Sequence, residues 1–385
     1  MENDVKHIFY NEIRKIKATS QLRILNESYR SRDSKVLRNG KRLISFSCND
    51  YLGLTQNKTL INASINAIKK YGTGAGASRL VSGNHPLYTK LENLISNFKL
   101  GESTCVFGSG FLTNTGVIPA IASKNDLIVY DELSHASTNL GIKLSKAKNI
   151  KFMHNDNNHV ENILKKNRSQ YRSCFLLTEG VFSMDGDTAD LKALSFLAKK
   201  YNASIILDDA HGFGVLGEGR GSQFEFKPTP EILVQIGTLS KAAGSYGGFT
   251  VAPKIINDLM HNKARSLIYT TGLPPATVAA SIAAINIIRT DKKLVKKPLE
   301  NAVTFCKEAQ LPMPQSSIVT LILGTEKKTL KASRIIEKEG FYVGAIRPPT
   351  VPPNTSRLRF TFCANHKKNE IIKLAKIIRN IRDII

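Results

Sequence analysis

Two short stretches of the chain concentrate the residue types that do chemistry. Asp208-Asp209-Ala210-His211 places two carboxylates and an imidazole within one turn of chain. Further on, Thr238-Leu239-Ser240-Lys241-Ala242-Ala243-Gly244 offers two hydroxyls and one lysine among small residues. Each follows an aliphatic, β-branched run, 204–208 and 233–237, that reads as a strand. If the two strands are neighbours, their ends present acid, imidazole, hydroxyls and amine to one cleft. A lysine in such company is placed for a Schiff base with an aldehyde rather than for solvent. A carboxylate opposite it can hold a pyridinium nitrogen protonated, which makes that ring an electron sink. The bland reading, a surface lysine and a loop-capping aspartate, loses ground because both features sit on strand ends.

A competing pattern overlaps the first stretch. Residues 212–217, Gly-Phe-Gly-Val-Leu-Gly, match GxGxxG directly after a strand, which on its own would point to dinucleotide binding. The context fails twice. The third glycine should open a helix, yet Glu218-Gly219-Arg220-Gly221-Ser222 reads as loop. Asp208 and Asp209 would also aim negative charge where a pyrophosphate must sit.

The elements that must position these groups follow from periodicity. Strands are expected over 127–130, 150–153, 173–178, 204–208, 233–237 and 249–252. Helices are expected between them over 110–122, 133–145, 160–166 and 191–201. Such alternation specifies an α/β fold, a mostly parallel central sheet covered on both faces, with ligands at the carboxyl ends of its strands. Pro86 opens a helix whose apolar positions Leu87, Leu91, Leu94, Ile95 and Phe98 keep helical spacing. After about residue 290 the pattern changes. A charged stretch, 291–297, leads to a helix near 299–306, strands over 318–323 and 358–362, a helix over 330–339, and a last helix carrying Ile371 through Ile385. The expected organisation is an N-terminal helix and arm over 1–48, a large cofactor-binding domain over 49–290 and a smaller α+β domain over 291–385.

Composition bounds the remaining classes. Of 385 residues 42% are hydrophobic and 22% charged, a globular balance that excludes disorder. The longest apolar run, 277–288, falls short of the ~20 residues that span a bilayer, and the N-terminal stretch lacks the apolar core of a signal peptide. Five cysteines, Cys48, Cys105, Cys174, Cys306 and Cys363, lie far apart with no CxxC, so neither a metal site nor a disulfide framework is indicated. A reducing cytoplasm is the expected location. Fifty-five Lys and Arg against 31 Asp and Glu leave +24, but the cations are scattered singly and in pairs through helical segments. They read as solvated helix faces rather than a nucleic-acid surface.

The chain resembles the fold-type I pyridoxal-phosphate enzymes and, within them, the α-oxoamine synthases. The likeness runs from about Ile13 to the C-terminus. It rests on Asn49-Asp50-Tyr51-Leu52-Gly53-Leu54, the run Gly72 to Gly83, Asp131-Glu132-Leu133-Ser134-His135-Ala136-Ser137 and Glu179-Gly180-Val181-Phe182-Ser183-Met184-Asp185-Gly186-Asp187. The Asp208 and Lys241 stretches and Arg357-Leu358-Arg359 complete it. The order and number of these motifs make the resemblance specific.

The resemblance implies pyridoxal 5'-phosphate as cofactor and assigns roles to residues. Lys241 bonds the cofactor aldehyde and moves the proton, which requires a neutral amine. Asp208 pairs with the pyridine nitrogen, His211 with the ring hydroxyl, and Ser183 supplies a further hydroxyl. His135, just inside a predicted helix start, stacks on the ring; alone it would pass as a structural histidine. For the phosphate, Gly108-Ser109-Gly110-Phe111 precedes a helix, so the Gly110 and Phe111 amides suit an anion. A glycine turn kept for geometry explains that motif equally well. Thr238 adds a hydroxyl, and Thr271 is the candidate for donation across a dimer interface. Arg359, on a strand pattern, matches the arginine that clamps an amino-acid carboxylate, with Asn49 assisting. Arg23, placed in the N-terminal helix, matches a position that contacts the acyl substrate, and Thr350 and His135 are further substrate-binding candidates.

The activity so implied is condensation of an amino acid with an acyl thioester, with loss of carbon dioxide, in a homodimer with shared active sites. The stretches 76–85 and 348–352 are most similar to the branch that joins L-alanine to a pimeloyl thioester, carried by acyl-carrier protein or coenzyme A. Part of the positive charge is read as greeting that acidic carrier. Glycine C-acetyltransferase and 5-aminolevulinate synthase would share every residue named. A basic nucleic-acid-binding protein on a dead synthase scaffold is the distant alternative.

Overall fold

The computed structural model describes residues 5–31 and 33–384; residues 1–4 of the expected arm and Ile385 of the expected last helix lie outside them. Three strands, β1 (Ser28–Arg30), β2 (Lys35–Arg38) and β3 (Lys41–Ser45), follow helix α1 (Lys6–Ala18). Helices α2 (Lys58–Tyr71) and α3 (Leu87–Phe98) lead into an alternating region. That region contains β4 (Ser103–Phe107), α4 (Gly110–Ile121), β5 (Leu127–Asp131), α5 (Ala136–Ser145), β6 (Lys148–Phe152), α6 (Asn157–Asn167) and β7 (Cys174–Glu179). It continues through α7 (Leu191–Lys200), β8 (Ser204–Asp208), β9 (Val234–Thr238) and β10 (Gly248–Ala252).

These seven strands form one sheet in the order β4-β10-β9-β8-β7-β5-β6. β10 runs antiparallel to both neighbours, while the pairs from β9 to β6 are parallel. The expected mostly parallel sheet is therefore present. Its strands are buried on both faces, as β7 and β9 show along their whole length. One side packs Phe107, Val117, Ile128, Ile206 and Met260; the other packs Val129, Leu164, Leu176, Leu194 and Leu207. Parallel pairing aims the carboxyl ends of β5, β7, β8 and β9 in one direction, so Asp131, Glu179, Asp208 and Thr238 end on the same edge.

Helices α8 (Lys254–Lys263), α9 (Arg265–Ile268), α10 (Pro275–Thr290) and α11 (Lys292–Ala309) follow. Then come β11 (Ile318–Gly324), α12 (Glu326–Lys338), β12 (Phe341–Tyr342), β13 (Gly344–Ile346), β14 (Ser356–Thr361) and α13 (Lys368–Ile384). β14 is the middle strand of the sheet β11-β14-β13. Phe305, Phe360, Phe362, Ile371 and Ile378 make a core of their own, and Phe46 joins it. β3 pairs in parallel with β12, so the segment around residues 41–46 packs with the C-terminal part of the chain.

Several expectations need correcting. Arg23 does not lie in the N-terminal helix, which stops at Ala18. Ser20 takes a positive φ of 58° there, and residues 21–27 that follow have no regular secondary structure. His135 is the cap before α5 rather than its first turn, because its ring accepts from the Ser137 N–H. α11 begins at Lys292, inside the stretch read as a charged lead-in, since the Asp291 carboxylate accepts from Leu294 and caps it. The GxGxxG stretch opens no α-helix: residues 212–216 form turns and a bend, followed by a 3-10 turn, Gly217–Gly219. Gly212 has a local reason, since a side chain there would lie 2.1 Å from the Asp209 carboxylate.

Candidate active site

The site is built where β8 and β9 end side by side. Ile206 to Asp208 pair with Val234 to Ile236, so the turn after β8 and the loop after β9 emerge together. Lys241 Nζ meets His211 Nε2 at 2.8 Å, and His211 Nδ1 meets the Tyr51 hydroxyl at 2.6 Å. Burial brings the Lys241 ammonium down to about 8, and Arg359 pushes the same way against Asp208 and Glu179. Burial also holds His211 well below its ordinary value, reinforced by Lys241 and Arg359. Both groups are thus inclined to be neutral, as an amine that attacks an aldehyde must be.

Asp208 is fixed from two sides. Its Oδ1 accepts from the Ala210 N–H at 3.1 Å and its Oδ2 from Asn114 Nδ2 at 2.7 Å. The same amide nitrogen of Asn114 donates to Ser137 Oγ at 3.1 Å. The Ser137 N–H donates to His135 Nδ1 at 3.2 Å, and the Ser137 hydroxyl lies 2.6 Å from the same nitrogen. Nδ1 is therefore an acceptor, and the neutral ring carries its proton on Nε2. Burial lowers the His135 pKa, which favours this neutral form. Glu179, paired in register with Asp208 on β7, accepts from the His135 N–H at 2.6 Å. Burial, with Asp208 beside it, raises its carboxyl well above the usual range.

The start of α4 faces the same edge. Ser109 caps the helix through Leu112 N–H, leaving the first amides, Gly110 and Phe111, directed out of the helix end. Thr238 stands against Gly110, where an added Cβ would lie 3.3 Å from its side chain. Gly248 closes the other side, since a Cβ there would come within 2.7 Å of Gly110 N. Thr238 Oγ1 also meets Ser240 Oγ at 2.7 Å.

Arg359, on β14, is 7% exposed. Its Nε donates to the Ser183 carbonyl at 2.5 Å, and its terminal nitrogens lie 3.4 and 3.5 Å from Asn49 Oδ1. Tyr51 also reaches Asn49, at 3.5 Å. Hydrogen bonds thus link Lys241, His211, Tyr51, Asn49, Arg359 and Ser183 into one set and Asp208, Asn114, Ser137, His135 and Glu179 into another, and the charges of Asp208 and Glu179 act on Lys241 between them. Arg23 and Thr350 form a third: Arg23 donates to Thr350 Oγ1 at 3.2 Å and to the Pro348 carbonyl at 3.3 Å. Thr271 sits elsewhere, bridged to Ser78 and lining a narrow cleft with Gly108 and Arg79.

Sequence reading missed Asn114, Ser137, Glu179 and Tyr51 as working residues. The signal for Asn114 was a carboxamide, between Thr113 and Thr115, in a helix otherwise made of apolar residues and glycine. Glu179 and Tyr51 stood inside quoted motifs without a role, because only register and tertiary contact show what they touch.

The donor set fits pyridoxal phosphate. A buried amine whose ammonium gives up its proton near pH 8 suits the aldehyde, an aspartate tied down at both oxygens suits the pyridine nitrogen, and a helix start walled by Thr238 and Gly248 suits the phosphate. This arrangement defines a fold-type I pyridoxal-phosphate enzyme, and the chain belongs to the class I and II aminotransferase family, whose profile matches residues 41–378. It is 49% identical to the 8-amino-7-oxononanoate synthase of Beijerinckia indica over 92% of both chains. Against the enzyme of that name from Methylocella silvestris it is 50% identical, over 90% of this chain and 99% of the relative. It therefore falls among the 8-amino-7-oxononanoate synthases. Among solved structures, serine palmitoyltransferase from S. paucimobilis with bound PLP and myriocin superposes with a TM-score of 0.91 at 26% identity over 99% of both chains. The 8-amino-7-oxononanoate synthase of Francisella tularensis superposes with a TM-score of 0.76 at 27% identity, over 89% of this chain and 98% of that one.

Proposed function

We propose that this protein condenses L-alanine with a pimeloyl thioester, releasing carbon dioxide and the thiol carrier and giving 8-amino-7-oxononanoate for biotin synthesis. The observation that carries the reading is the buried Lys241 amine held between His211 and the Asp208 side of the site, in a chain nearly half identical to synthases of that name. Lys241, Asp208, His211, His135 and Ser183, with the Gly110 and Phe111 amides and Thr238, would hold pyridoxal phosphate. When bound, that group supplies a sink for negative charge developing at the amino-acid Cα.

The remaining work belongs to the chain. Arg359 and Asn49 take the alanine carboxylate, so that the Cα–H bond is held in one orientation. The Lys241 amine, neutral near and above pH 8, takes the Cα proton. The new carbon–carbon bond forms to the acyl carbon as the thiolate leaves, and the resulting β-keto acid loses carbon dioxide. His135, neutral and held by Ser137 and Glu179, supplies a flat wall without adding charge. Arg23 and Thr350 contact the acyl group. In this reading, residues 49–290 carry the cofactor, 291–385 bring Arg359 to it, and Thr271 completes the site of a second copy in a homodimer.

Among the described residues no helix is long and apolar enough to cross a membrane; we assign the protein to the cytoplasm, where its free cysteines stay reduced. The test is product identification. Purified protein with PLP, alanine and pimeloyl-carrier protein or pimeloyl-CoA should yield 8-amino-7-oxononanoate, with one carbon dioxide per free thiol. A preference for glycine with a shorter acyl thioester would overturn the assignment.

A further inference from the structure

Beside the carboxylate site stands a pair of side chains that the condensation does not use. The sulfurs of Cys48 and Cys363 are 3.4 Å apart, though the residues are 315 positions apart in the chain. Cys363 is buried just beyond β14, and Cys48 is partly exposed. Arg30 stands 3.5 Å from the Cys48 sulfur and 3.1 Å from Asp50. The hydrogen bond from Cys363, helped by the Arg30 guanidinium, brings the Cys48 thiol below its ordinary value. The partner thiol moves the other way, raised by the same contact and by burial. Burial also raises the thiols of Cys105, Cys174 and Cys306. Among the cysteines, Cys48 is thus the nucleophile and Cys363 stands ready to resolve it.

We propose that Cys48 and Cys363 form a reversible dithiol–disulfide couple, oxidised by hydrogen peroxide, whose closure disturbs the carboxylate site at Asn49 and Arg359. The Cys48 thiolate attacks one peroxide oxygen and breaks the O–O bond. Sulfenic acid forms at Cys48, and the departing hydroxide takes a proton to become water. The Cys363 sulfur then attacks the Cys48 sulfur, its proton leaving with the hydroxyl as a second water. Two electrons pass from the two thiols to the peroxide, and no other reactant is needed.

Closure draws the sulfurs inward by somewhat more than about 1 Å to the disulfide distance. Cys48 adjoins Asn49, and Cys363 lies four residues past Arg359 on the continuation of its strand. The contraction therefore pulls on both residues of the clamp. This consequence rests on the assignment of Arg359 above; the thiol chemistry does not.

The test treats fully reduced holoenzyme with hydrogen peroxide and reads mass before activity. The expected result is loss of two hydrogens per chain, a linked peptide pair containing Cys48 and Cys363, and full reversal by dithiothreitol. In C363S the reaction should stop at a sulfenic acid on Cys48 that dimedone traps; in C48S the linked peptide should be missing. The oxidised enzyme should show a several-fold higher KM for alanine, restored by dithiothreitol, whereas peroxide-treated C363S should not show the reversible rise. Failure to form the linked peptide under peroxide that consumes a free-thiol standard, or dimedone labelling at a buried cysteine instead of Cys48, overturns the couple. A linked protein with unaltered KM overturns its connection to the clamp. Because the mass readout needs no turnover, failure of the catalytic assignment would be distinguished from failure of the couple.

Discussion

Lys241 and His211 meet at 2.8 Å in a setting whose burial lowers both pKa values, with Lys241 adding to the depression of His211 and Arg359 acting on both. Tyr51 anchors the far side of the imidazole, so the amine faces a fixed ring rather than a mobile one. Neutrality of the lysine at moderate pH is thus a property of its surroundings.

The first prediction concerns pH. Because the Lys241 ammonium titrates at about 8, the rate at which the cofactor-free protein takes up pyridoxal phosphate should rise as pH increases and level off above that value. K241A should take up cofactor that borohydride no longer fixes to the chain, and its turnover should fall by at least ~1,000-fold. Stopped-flow absorbance across pH 6 to 10 checks the first point. A flat profile would count against it.

Asn114 ties the Asp208 carboxylate to the Ser137 hydroxyl, which lies against His135. N114A leaves the Asp208 Oδ2 and Ser137 Oγ without that donor, at a cost of about 1–3 kcal/mol in a buried setting. The expected outcome is a roughly ten-fold or larger loss in kcat and weaker cofactor binding, with KM for the acyl thioester little changed. Steady-state kinetics with a cofactor titration separate these effects.

Arg359 offers its planar fork beside Asn49 while its Nε is held by the Ser183 carbonyl. Truncation in R359A should raise KM for alanine by about a hundred-fold, the scale of losing a charge-assisted bidentate contact. R359K should recover little, since an ammonium cannot make both bonds. Equal KM values in the wild type and R359A would remove Arg359 from the carboxylate site.

His154 bridges two carboxylates, with Nδ1 3.0 Å from Asp131 and Nε2 2.8 Å from Asp187. These contacts outweigh partial burial and raise its pKa to about 10. A histidine whose folded value is raised contributes stability that is complete below its unfolded value near 6.5 and is lost as pH climbs through about 10. The difference in Tm between wild type and H154Q should therefore be largest at pH 6 to 6.5 and shrink steadily towards pH 10. Thermal unfolding of holoenzyme at a series of pH values reads this directly. A gap that widened with pH would contradict the bridge.

Much of the parallel region was legible before any coordinates, because buried strands and amphipathic helices write themselves into short runs with a period of 2 or 3.6. The three N-terminal strands and α2 went unread. β1, β2 and β3 are short and mostly exposed, with burial alternating weakly, so their pairing rather than their composition identifies them. Arg23 was given to a helix because local pattern does not register where Thr19 and Ser20 break it.

The sequence by itself determined where the candidate chemistry sits: Lys241, Asp208 and His211 lie within a few residues of strand ends, and local pattern places strand ends. What it left open was partnership. Tyr51 with His211, Asn114 with Asp208, Arg359 with Ser183 and Cys48 with Cys363 are separated by 160, 94, 176 and 315 positions. Such pairs share no period and no turn, so nothing local encodes them. They exist because sheet order and the joint packing of residues 41–46 with the C-terminal segment bring distant backbones to one edge, and burial then sets which of the gathered groups keep their charge.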